Sequence, residues 1–78
     1  MLSMEKIQIK DIKKGQVVKE RVPFGKADFV KLKAIEDSRK IEGELVQWVV
    51  NVKVMSTGEI IEILQTEGLE HYGPSLFI

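Results

Sequence analysis

The sequence predicts an all-β fold, a small barrel of five or six short antiparallel strands with at most one short helical or 3-10 turn near the C-terminus. Three observations predict it. Val46, Trp48, Val50, Val52 and Val54 recur at every second position, the period of a pleated strand, so all five point to one face. No stretch sustains helical apolar spacing over ten residues, and Gly or Pro stands at nearly every junction. A sheet built of such strands must bury one face, and bending it on itself does so without a layer of helices.

In chain order, Ile7 and Ile9 alternate with Gln8 and Lys10, which fits a short strand better than a helix capped by Ser3. Residues 11–16 form a turn, with Asp11 bonding local backbone and Gly15 supplying a positive φ. Val17 and Val18 open a strand that runs to about Val22. Pro23 cannot donate to a ladder, and residues 23–28 make a loop. Over 29–35, Val30, Leu32 and Ala34 share one face while Lys31 and Lys33 share the other, the pattern of a half-buried strand. Residues 36–44 are polar apart from Ile41 and read as a long exposed hairpin loop. The strand of the valine row follows, from Leu45, and Gly58 is the natural left-handed position of the tight turn into residues 60–66. Residues 67–74, bracketed by glycines and closed by Pro74, read as a turn with one short helical or 3-10 piece, and residues 75–78 as a last strand.

The order of these elements resembles SH3-like small barrels, including the KOW type: an Asp11-Ile12-Lys13-Lys14-Gly15-Gln16-Val17-Val18 turn into a strand, a loop, a three-strand meander, and a short helical turn before the final strand. The likeness covers most of the chain and lies in topology, with no signature residues matched. The segment Thr66-Glu67-Gly68-Leu69-Glu70-His71-Tyr72-Gly73-Pro74 also resembles the ends of some small uncharacterised tailed-phage proteins, which implies a phage source.

Seventy-eight residues suit one small domain of marginal stability, covering residues 1–78. Cysteine is absent, so neither disulfides nor thiolate–metal bonds supplement the core, and self-association is one remaining source of stability. The N-terminal residues show neither a signal-peptide pattern nor an apolar run long enough to span a bilayer, and the expectation is a cytoplasmic protein with no membrane association. Net charge is zero but unevenly spread: residues 1–53 hold all twelve Lys and Arg with eight acids, a net +4, and residues 54–78 hold four Glu, a net −4. Such asymmetry marks either a nucleic-acid face or two halves of one barrel attracting each other.

Reaction chemistry has little support. His71 is the only histidine, too few for a metal centre built on nitrogen or sulfur, and no activated nucleophile stands out. Glu67 and Glu70 could meet on one helical turn, but without a dense acidic loop they make a weak cation site. Gly58, Gly68 and Gly73 lack phosphate-loop spacing. The expectation is therefore a non-enzymatic module without metal or cofactor. Its preferred ligand is a protein, contacted through Phe24, Phe29, Arg39 and Lys40 in the 39–42 loop, and the outward Leu45 and Val49, the last two either covered by the bending of their strand around the barrel or open to a homo-oligomer or partner. The alternative is a nucleic acid held by Lys19, Arg21, Lys31, Lys33 and Lys53, with Phe29 and Phe24 the sole aromatic side chains available for stacking because Trp48 lies on the core row.

Overall fold

Alternation of apolar and polar side chains generates the longer strands of the fold. The computed structural model describes residues 5–21 and 29–78. Phe24 and the expected loop at 23–28 lie outside them, as does the expected strand end at Val22. Seven strands form one antiparallel sheet among the described residues: β1 (Lys6–Ile7), β2 (Val17–Arg21), β3 (Phe29–Ala34), β4 (Arg39–Ile41), β5 (Gln47–Val54), β6 (Ile60–Thr66) and β7 (Leu76–Phe77). Neighbours follow the order β1-β7-β2-β3-β5, with β6 on one edge of β5 and β3 followed by β4 along the other. Among the described residues the sheet does not close through its backbone ladder.

The inner face collects Ile7, Val18, Leu32, Ala34, Val50, Val52, Ile63 and Leu76 into one core, with Ile9 and Ile12 added from the chain after β1. Burying this apolar surface is the main force holding so small a sheet together. Trp48 lies on the inward row as expected but is only half-buried, packed against the core, and Val50 and Val52 are the fully buried members. The tight turn is as the sequence predicts: Gly58 has φ +78° and its N–H donates to the Val54 carbonyl at 2.7 Å. Gly15 likewise takes a positive φ.

Three local expectations need correction. Ile9 is not in a strand but opens a 3-10 turn, Ile9–Asp11, so there are two such turns among the described residues, the second being Glu70–Tyr72. Ile9 and Ile12 stand three apart, one turn of that helix, and both are buried. Residues 36–44 are not one exposed loop, because β4 lies within them and pairs with β5. Ala34 pairs with Val52 and Arg39 with Val49, so five steps on one strand face three on the other, and the two extra residues make a bulge. The bulge stays hydrogen-bonded: Ile35 N–H donates to the Asn51 carbonyl at 3.1 Å, and the Glu36 carboxylate accepts from Asn51 N–H at 3.2 Å and Asn51 Nδ2 at 3.3 Å.

The third correction is Val49. It lies on the outer face, as alternation requires, yet it is only 2% exposed. β4 and β6 flank β5 on opposite sides, with Arg39 and Leu64 directly beside Val49. Arg39 Nη2 on β4 meets Glu62 Oε2 on β6 at 3.2 Å, so this ion pair passes over β5 and covers the valine.

Candidate functional site

Cross-strand register decides which side chains share the outer face, since directly opposed residues project to the same side. Lys6 on β1 opposes Phe77 on β7, Phe77 opposes Lys19 on β2, and Lys19 opposes Lys31 on β3, a continuous row across four strands. A second row runs from Val17 through Lys33 on β3 to Lys53 on β5 and Ile60 on β6. Arg21 opposes Phe29 at the margin. The five basic residues expected from sequence, Lys19, Arg21, Lys31, Lys33 and Lys53, thus lie on one face, and Lys6 joins them.

None of these six cations forms an ion pair with another described residue, and the strand positions of these rows hold no acidic side chain. Two lysine pairs, Lys19 with Lys31 and Lys33 with Lys53, sit directly opposite one another, an arrangement that is unfavourable in the free protein. Phe29 and Phe77 stand among them, half-buried and edge to face, with ring centroids 5.8 Å apart and planes at 86°. Phe77 and Lys6 were missed by sequence reasoning. Alternation within residues 75–78 does send Phe77 away from Leu76, but only the pairing of the chain's two ends shows that it joins the lysines.

Of the described residues expected to meet a protein, Arg39 and Val49 are directly opposed and Leu45 stands just before the same strand, while Phe29 lies apart from them. Phe29 begins β3, whose pairing with β5 lies at the C-terminal end of β5, whereas Leu45 precedes β5 and is 59% exposed. Val49 is covered. Arg39 is engaged by Glu36 at 3.4 Å and Glu62 at 3.2 Å, and Lys40 by Glu42 at 3.2 Å, with its ammonium 5.9 Å from the Trp48 ring centre. The ion pair over Val49 withdraws that residue from the outer apolar row, while Leu45 and, on β6, Ile60 and Leu64 stay exposed.

No protein-family model, curated protein or solved structure matches the chain. The fold class is that of a small all-β domain with an antiparallel sheet, and the chemistry of its surfaces carries the functional argument.

A cleft of about 380 Å³ opens on the other side, lined in part by Glu20, Gln65, Leu69, Tyr72 and Pro74. Glu20 points inward from β2, opposite Val30 and Leu76, and burial raises its carboxyl pKa. Gln65, 4% exposed, ties this side together: its Oε1 accepts the Ile9 N–H at 2.8 Å and its Nε2 makes a long contact of 3.5 Å to the Pro74 carbonyl. Tyr72 is 80% exposed and its ring lies 4.1 Å from that of His71. Among the described residues no group of three or more His, Cys, Asp or Glu could hold a metal ion, and no helix is long and apolar enough to cross a membrane.

Proposed function

We propose that this protein is a non-enzymatic β module that binds nucleic acid through the outer face of β1, β7, β2, β3 and the end of β5. The observation that carries this is the face itself: six cations, two opposed lysine pairs and two phenylalanines, with no acidic side chain at its strand positions. Adjacent strands stand about 4.8 Å apart. Lysines placed at that interval across several strands can each meet a phosphate of one backbone, and the counterions released make such binding strongly salt-dependent. The aromatic pair supplies the apolar surface that a purely solvating lysine face would not need.

This reverses the order of preference suggested by sequence, in which a protein partner came first. The reversal is supported by the covering of Val49, by the internal pairing of Arg39 and Lys40, and by the contrast with the lysine face, whose cations have no ion-pair partner among the described residues. An SH3-like, KOW-type relationship, a phage source and a cytoplasmic setting belong to the same proposal. The order of elements supports the first, the 66–74 segment the second and the lack of cysteine the third.

The test is a titration of labelled duplex and single-stranded oligonucleotides at low salt. Binding that weakens steadily with added salt is expected, and Lys31→Glu with Lys33→Glu should abolish it. Absence of any binding at about 50 micromolar protein would sink the proposal, since even non-specific nucleic-acid binding falls near that range at physiological salt.

A further inference from the structure

The basic face has an apolar recess at its margin. Phe29, Val30 and Lys31 of β3 and Met55 and Ser56 of the turn after β5 line a cleft of about 500 Å³, within the size range of small-ligand sites. The turn is fixed beside β3 by the Met55 N–H, which donates to the Lys31 carbonyl at 3.0 Å. Met55 is 50% exposed although apolar, and Phe29 is held edge to face by Phe77. Lys31 belongs both to the cleft and to the lysine row, with Lys19 directly opposite it.

We propose that this cleft seats one unpaired base of a single-stranded nucleic acid whose phosphates run along the adjoining lysines. The inference rests on the nucleic-acid reading of that face and narrows it from any polyanion to a single strand. An apolar recess with an aromatic wall matches the flat, apolar faces of a base, and the cations beside it match the charge on either side of that base. A duplex offers the same phosphates but keeps its bases paired and stacked, so it can use the lysines and not the cleft. An apolar peptide side chain would fit the recess as well, but the chain around it would have to be acidic to lie among Lys19, Lys31 and Lys33.

The deciding comparison uses the full chain and fluorescence anisotropy. One probe is a mixed-sequence single strand of about a dozen nucleotides, within the site sizes of small single-strand binders. The second is the abasic strand of the same length, and both are made in deoxyribose and ribose forms. The base-bearing strand should bind about ten-fold more tightly than the abasic one in at least one sugar form. Met55→Ser, at a half-exposed turn position, should bring that ratio towards one without changing the affinity for the abasic strand. Phe29→Ala should do the same, but Phe29 also packs on Phe77, so Met55→Ser is the deciding variant. Equal binding of the two strands with normal salt dependence would overturn the base site and leave the nucleic-acid reading standing. Failure to bind either strand while a duplex still binds would overturn the base site alone, and failure to bind all three would overturn both. Tighter, Met55-dependent binding of a glutamate-rich peptide carrying one phenylalanine would overturn the base site in favour of a protein ligand.

Discussion

Gln65 is the side chain on which the open side of the sheet depends. It projects inward from β6, and its Oε1 holds the N–H of Ile9 at the start of the first 3-10 turn. A methyl group on Gly73 would come within 2.9 Å of its Cγ, so the chain leading into β7 packs directly on it. Gln65→Leu keeps the volume and leaves the Ile9 N–H without its acceptor; urea unfolding should show a loss of about 1–3 kcal/mol. Two carboxylates make opposite pH demands. The Glu36 pKa is lowered, first by the Asn51 N–H, then by the Asn51 amide and by Arg39. Its contribution is present above the unfolded carboxylate value and is lost as pH falls through the lower folded value. The Glu20 pKa is raised by desolvation, so the folded state holds that proton more tightly than the unfolded state. Stability from Glu20 is therefore greatest below the unfolded carboxylate value and declines as pH rises through the folded one. Glu20→Gln should raise the melting temperature at neutral pH and remove that decline, whereas Glu36→Gln should lower it at neutral pH and have little effect in acid.

Among the elements, β7 is the one whose loss should be most damaging. It has two residues, but it is the middle member of β1-β7-β2, and Leu76 is fully buried. Deleting residues 76–78 should leave the chain unfolded by circular dichroism, and Leu76→Ala should cost about 2–5 kcal/mol, a large part of the stability of a small domain. This strand was legible in the sequence, as were β3, the β5–β6 hairpin and the glycine of its turn, because each announces itself by local alternation or by a conformational need. β4 was not. Arg39 and Lys40 are both exposed, so no alternation marks the strand, and its place depends on a two-residue bulge held by Glu36 and Asn51 across 15 positions. Alternation also misled at Ile9, where the three-residue spacing to Ile12 was the signal that mattered. The lysines of the candidate face could be placed because β2, β3 and β5 follow the local pattern. Lys6 and Phe77 could not, because their position depends on the two ends of the chain meeting, and Val49 could not, because an ion pair between β4 and β6 covers it.

Over the whole molecule, strand pairing gathers lysines that are scattered along the sequence onto one face. The lysines of β1, β2, β3 and β5 gather outward around β7, while the raised carboxyl of Glu20 sits on the inner side of β2. Opposed lysines cost the free protein stability, and a bound polyanion would remove that cost, so stability and binding should respond in opposite directions to the same substitution. Lys53→Glu tests this without touching the core, because Lys53 is exposed and faces Lys33. Replacing a like-charged pair with an opposite one should raise the stability of the free protein by about 0.2–1 kcal/mol at low salt, with the gain fading as salt rises. The same variant should bind an oligonucleotide more weakly and reduce the salt slope by about 1, one phosphate contact fewer. A variant that became less stable at low salt would show that the Lys33–Lys53 pair is not under strain. A variant that became more stable yet bound as before would place the phosphates elsewhere on the face, along the row from Lys6 to Lys31.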